Sequence, residues 1–262
     1  MKSNNLFVSV IIFIQLLLAA CGGGQKSETL KTEKTPDVVI PANLPVFNAD
    51  SAYQHTARQV AFGPRIPNTA AHEKCGDYLI SALKGYGATV DVQSTTVTAH
   101  TGESLRIRNI LARLHPEKKK RIYFCAHWDT RPFADRDPDK PKEKFDGAVD
   151  GASGAGILLE LARLVASQPP EIGVDIVLFD AEDYGSSEES SSYCLGSQYF
   201  ASHLPAGFKP EYGVLLDMPA APGATFYREG YSMQYAPQVV SKVWSIAGKL
   251  GYRSYFVNEN SS

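Results

Sequence analysis

The sequence predicts an α/β domain with a parallel or mixed sheet and crossover helices, on three observations. From Arg121 onward, apolar runs of strand length (122–126, 174–179 and 212–216) alternate with helical stretches (152–166, 196–204 and 236–250). The first of those helices is apolar on nearly every side, through Ile157, Leu158, Leu159, Leu161, Leu164 and Val165, as a helix buried in a layered core must be. Acidic residues and a histidine then gather where the strands end, and open α/β sheets bind ligands at that rim.

Composition agrees with one sizeable globular domain. The 262 residues are 44% hydrophobic and 21% charged, with glycine and proline scattered rather than periodic. A net charge of −2 gives no sequence-independent grip on nucleic acid. Four cysteines are too few for a dense disulfide framework. Cys75 and Cys125 read as small buried hydrophobes, a bridge from Cys194 stays open, and no thiol has a neighbour that would make it a nucleophile.

The first 20 residues are set apart from the fold. Lys2 precedes an apolar run from Leu6 to Ala20 that is 15 residues long, short of the ~20 that span a bilayer as a helix. It suits the hydrophobic region of a signal peptide ending at small residues. Either the signal is simply cut near Ala20, or Leu18-Ala19-Ala20-Cys21 is a bacterial lipobox, which it resembles. The second reading predicts acyl chains on Cys21, anchoring in the cell envelope facing the periplasm or cell surface, and a flexible tether over 21–45.

Along the remaining chain (46–262), Asn48 or Asp50 can cap a helix running to Val60, which Gly63-Pro64 stops. Asn68 can cap a second, with Ala71, Cys75, Leu79 and Leu83 at helical spacing. Strand-like runs over 89–98 and 105–114 follow, and another over 253–257. The polar stretch 131–147 is longer than connecting loops usually are, a sign of function.

The chemistry concentrates at the strand exits. His127-Trp128-Asp129 leaves the first strand after Arg121, Asp180-Ala181-Glu182-Asp183 the second and Asp217 the third, while Asp150 opens the buried helix. Singly, each has a plain structural use: Asp150 can cap its helix, and Asp129 lies near Arg131 as an ion-pair partner. Together they are several like charges on one rim, which repel unless protons or a cation offset them. Carboxylate and imidazole donors suit zinc, and an open coordination position suits catalysis. No G-x-S-x-G elbow or Walker loop is present.

The order of these segments resembles the zinc aminopeptidase-like clan. They run His-Trp-Asp-Thr, Gly-Ala-Val-Asp-Gly-Ala-Ser-Gly, Phe-Asp-Ala-Glu-Asp, Leu-Gly-Ser-x-x-Phe-Ala and Leu-Leu-Asp-Met. Within the clan the chain is most similar to bacterial zinc-dependent glutaminyl cyclases, through Gly63-Pro64-Arg65, Trp128 with its long following loop, and Leu215-Leu216-Asp217-Met218 with Ala221, Pro222 and Phe226. The resemblance implies a three-layer open, mostly parallel mixed sheet with helices on both faces. It implies that N-terminal glutamine of peptides or proteins is converted to pyroglutamate with release of ammonia.

By position, the family pattern makes Asp150 and Asp183 ligands of one zinc per chain and Glu182 the general acid and base. Asp217 shares a proton network with Glu182, and Trp128 and Tyr184 help form a dry substrate pocket. His127 matches the histidine that two-metal aminopeptidases use for their second metal. The family's third zinc ligand is a histidine in a C-terminal segment that is absent up to Ser262, so the resemblance leads one to expect a C-terminally incomplete domain that holds zinc weakly. Two rival readings stand beside the cyclase: a two-zinc aminopeptidase, and a surface lipoprotein that keeps the fold without catalysis.

Overall fold

The structure is a computed structural model and describes residues 38–260. The expected signal segment, Cys21 and the tether up to residue 37 lie outside the described residues. Residues 38–45 have no regular structure, yet Gln168 Nε2 donates to Asn43 O at 2.9 Å and Lys249 Nζ donates to Val38 O. Among the described residues, no helix is long and apolar enough to cross a membrane.

Helix α1 (Ala49–Val60) begins where predicted, because the Asn48 side chain accepts from Ser51 N at 2.9 Å. Helix α2 (Ala70–Gly85) corrects the expected cap by one residue. Thr69 accepts from His72 N, while Asn68, at φ 71°, accepts from Arg106 N and donates to Ser104 O, each at 2.9 Å. Asn68 therefore ties the helix entrance to the neighbouring strand rather than capping the helix.

Strands β1 (Thr89–Thr98) and β2 (Ser104–Leu114) pair antiparallel without a bulge. Strand β3 (Arg121–His127) leads through a kinked segment (Ala148–Ser153) into α3 (Gly154–Ser167), then β4 (Gly173–Phe179), α4 (Leu195–Ser202) and β5 (Gly213–Leu215). The sheet order is β1-β2-β4-β3-β5. It is mixed as expected: β3 pairs parallel with β4 and β5, and β2 antiparallel with β1 and β4.

Period-two alternation divides the core between the two faces. Val174, Ile176 and Leu178 of β4 join Leu79 and Leu83 of α2 and Leu158 and Leu159 of α3 on one face. Val177 and Phe179 join Leu111, Cys125 and Phe200 of α4 on the other. With α1 packed on α3, this is the three-layer arrangement. All seven residues of β4 are buried, which explains why its run is apolar on both faces apart from Asp175, which pairs with Arg121.

Toward the C-terminus, β6 (Phe226–Arg228) pairs parallel with β7 (Phe256–Asn260), and α5 (Gly230–Tyr235) precedes α6 (Pro237–Lys249). The sequence pattern predicts neither β6 nor α5, and it places β7 three residues early. A turn closed by Tyr255 N to Tyr252 O at 3.0 Å delays the strand to Phe256.

Candidate metal centre

The carboxyl ends of β3, β4 and β5 deliver His127, Glu182 with Asp183, and Asp217 to one rim, and the kinked segment before α3 adds Asp150. Asp150 is extended (φ −91°, ψ 107°) and lies three residues before Ser153, the residue at the N-cap position of α3, so it does not cap that helix. Gly151 follows at φ +90°. A Cβ there would lie 2.4 Å from Asp129 O, so only glycine lets the hinge rest on the exit of β3.

His127, Asp150 and Asp217 each offer a ligand atom, and all three atoms lie within 4.8 Å of one another. His127 is buried, with Nδ1 3.3 Å from Asp129 Oδ1. Its Nε2 lies 2.8 Å from Asp150 Oδ1 and 3.7 Å from Asp217 Oδ1, yet it has no hydrogen-bond partner because the direction to Asp150 is wrong for one. A buried ring nitrogen oriented by a carboxylate on its far side and facing two more carboxylates fits a divalent cation, zinc in particular.

The electrostatics say the same. Burial, then the charges of Asp129, Asp217 and Asp150, push Glu182 up to about 7, against the opposing effect of His127. Burial and the charges of Asp129 and Asp150 likewise push Asp183 up to about 7. Asp217 is raised by burial and by Asp150. Burial opposes charge on His127, but contact with Asp129 and Asp150 holds its pKa well above the usual value.

Asp129 is the functional residue that sequence reasoning missed. The expected ion pair with Arg131 does not form; Arg131 pairs with Asp135 instead. Asp129 is fully buried and accepts from the backbone amides of Glu182 at 3.0 Å and Asp183 at 3.1 Å as well as contacting His127. One carboxylate thus fixes both the imidazole and the turn carrying the proposed base. These contacts and the charge of His127 outweigh burial and hold the Asp129 pKa below its usual value. The signal was the two-residue spacing from His127 along an extended exit, which returns both side chains to one side.

Beside the rim, a cavity of about 360 Å³ is lined by Asp150, Asp183, Phe133, Phe145, Arg131 and Tyr193, among others. The long loop 131–147 supplies much of this wall, in line with the functional reading of its length. Both expected pocket residues are corrected. Trp128 is fully buried, stacked on His72 at 4.4 Å with Nε1 donating to Arg108 O, so it packs the core beneath the rim. Tyr184 donates to Glu103 at 2.6 Å and packs against the cluster of Ala99, Leu105 and Ile107. A larger groove of about 530 Å³ lies between α2 and β2, but it is lined by the Arg106–Glu73 and Arg108–Asp77 ion pairs and contains none of the rim carboxylates.

The other histidines are engaged elsewhere. His72 bonds Asp180 at 2.8 Å, His55 lies between the Tyr78 and Tyr86 hydroxyls, and His100, His115 and His203 contact backbone carbonyls.

The layered sheet and the acidic rim define a zinc aminopeptidase-like protein, and the chain belongs to Peptidase family M28, whose pattern matches residues 109–261. Among solved structures, the Tannerella forsythia glutaminyl cyclase is 51% identical with a TM-score of 0.80, over 83% of this chain and 77% of that one. A Zn-dependent exopeptidase from Parabacteroides distasonis is 49% identical with a TM-score of 0.81, over 84% of this chain and 78% of that one. A glutaminyl-peptide cyclotransferase of Drosophila melanogaster is 25% identical over 172 residues, 63% of this chain and 47% of that protein. The chain spans about half the length of the curated cyclotransferases it matches.

Proposed function

We propose that this chain is a zinc-dependent glutaminyl cyclase acting on peptides or proteins that begin with glutamine. The observation that carries the reading is Glu182, a half-buried carboxyl pushed up to about 7 at the acidic rim, in a chain 51% identical to a glutaminyl cyclase. A carboxyl tuned near neutrality can both take and return a proton.

In this reading Asp150 and Asp183 hold one zinc. When bound, the ion supplies Lewis acidity toward the side-chain carbonyl of the substrate. Glu182 accepts a proton from the α-amine as that nitrogen bonds to the side-chain carbonyl carbon. The carbon–nitrogen bond of the carboxamide breaks, and Glu182 returns the proton to the departing ammonia. Asp217 keeps that proton on Glu182 by repulsion between the two carboxylates. Phe133, Phe145 and Tyr193 supply the apolar wall that limits water, which would otherwise compete as nucleophile.

A second reading has an observation of its own. The grouping of His127 with Asp150 and Asp217 is the donor set expected for the second metal of an aminopeptidase. Zinc content and product analysis separate the two. The cyclase reading expects one zinc per chain and ammonia from a glutamine-initiated peptide; two zinc ions and release of a free N-terminal residue would replace it with the aminopeptidase. Neither product would leave the non-catalytic reading.

The reading includes anchoring to the bacterial cell envelope through acyl chains on Cys21, supported by Leu18-Ala19-Ala20-Cys21. Mass spectrometry of the mature protein should find a lipidated Cys21 at the N-terminus; an unmodified Cys21, or a different cleavage point, rejects it.

A further inference from the structure

Arg65 lies outside the segment that matches the family pattern, yet it is the largest charged side chain that is fully buried. It makes no ion pair among the described residues; its guanidinium goes instead to three backbone carbonyls on two separate segments. Nε donates to Trp128 O at 3.4 Å, Nη2 to Gly147 O at 2.7 Å, and Nη1 to Asp146 O. The Arg65 backbone completes the attachment, with N donating to Thr130 Oγ1 at 3.2 Å and O accepting from Thr130 N at 3.1 Å.

The two segments are the exit of β3, which carries His127 and Asp129, and the entrance to the hinge that carries Asp150. Gly147 is held at φ +56° against Thr130, so close that a Cβ would lie 2.9 Å from Oγ1. A buried arginine is costly to desolvate, and here no carboxylate contact compensates it; carbonyl dipoles and the nearby charges of Asp129, Asp146 and Asp150 offset only part of that cost. The planar fork holds its donors in fixed directions toward the carbonyls of both segments, which the rotatable ammonium of a lysine does not.

We propose that Arg65 is a positioning residue of the metal centre: its guanidinium fastens the β3 exit to the hinge and so fixes where the hinge presents Asp150, the carboxylate assigned to the zinc above and also grouped with His127 and Asp217. The inference rests on the metal reading above.

The test compares Arg65→Lys, which keeps the charge but loses the fork, with Thr130→Val, which removes one backbone attachment. Arg121→Lys is the control, since Arg121 is also a half-buried clamp, bonding Asp175 and the carbonyls of His115 and Leu114 at the start of β3, away from the rim. Two quantities are read on the full chain, zinc affinity by chelator competition and amide hydrogen exchange over residues 146–152 without metal. Arg65→Lys is expected to weaken zinc binding roughly 10–100-fold, in the range of other groups that orient ligands, and to speed exchange in the hinge. Thr130→Val should move both in the same direction by less. Arg121→Lys should lower thermal stability and leave both unchanged. Wild-type exchange in Arg65→Lys, faster exchange with unaltered zinc affinity, or an equal zinc loss in Arg121→Lys overturns the proposal. Wild-type chain that binds no zinc overturns the metal reading, and hinge exchange then judges the clamp alone.

Discussion

Glu182 follows the end of β4 by three residues, and its position explains its assigned role better than its identity does. Burial alone would raise any carboxyl; the additional charges of Asp129, Asp217 and Asp150 bring this one up to about 7. Glu182→Gln should keep the shape and the zinc but remove proton transfer, lowering kcat by roughly 10²–10⁴-fold. Steady-state ammonia release together with zinc content checks this, and a variant retaining most of its rate would move the base elsewhere. His127, Asp150 and Asp217 were legible in the sequence because each stands at the end of an apolar strand run or in the glycine-rich segment ahead of the buried helix. The function of Asp129 was not: Arg131, two residues away, offered a simpler partner, and only the tertiary turn brings the amides of Glu182 and Asp183 onto its carboxylate. Trp128 was misread for the related reason that sequence marks a residue at the rim without telling which side of the strand it faces; its ring is directed inward, onto His72.

At the level of elements, periodicity made most of the fold readable. Helices α2 and α3 bury residues at helical spacing, β2 alternates at its start, and β3 and β4 show as short, largely apolar runs, so these patterns survive in the sequence. β6 and α5 are too short for a period, and the end of the chain's predicted β7 was displaced by a turn. The element most closely tied to function, the kinked segment before α3, has no pattern at all and is recognisable only by its glycines. Gly151→Ala tests its importance. An alanine at φ +90° costs about 1–3 kcal/mol from the backbone alone, before the contact its Cβ makes with Asp129 O. The expected result is a lower melting temperature together with loss of zinc binding, because relieving the contact moves Asp150. A variant that melts lower but binds zinc normally would show that the hinge serves only packing.

Across the whole molecule, the acidic rim should couple stability to pH and to metal. Glu182 and Asp183 have folded pKa values of about 7, above their ordinary values near 4, so between those limits the native state binds more protons than the unfolded chain. Stability of the metal-free protein therefore falls as pH rises from about 4 to 7. His127 acts in the same sense: its raised pKa gives stability that is full below its unfolded value of about 6.5 and is lost as pH climbs through the folded one. Asp129 has the opposite sign, but its lowered pKa confines the effect to acid below about 4. Zinc replaces the protons that the rim would otherwise need, and it binds more tightly as they leave. The melting temperature of metal-free chain should thus decline between pH 5 and pH 8, and saturating zinc should raise it more at pH 8 than at pH 5. Glu182→Gln combined with Asp183→Asn should flatten the metal-free profile, since neither side chain can then ionise. Calorimetry over that range decides: a metal-free profile that rises with pH, or zinc that stabilises equally at both ends, would mean the rim carboxylates are already neutralised by groups within the fold.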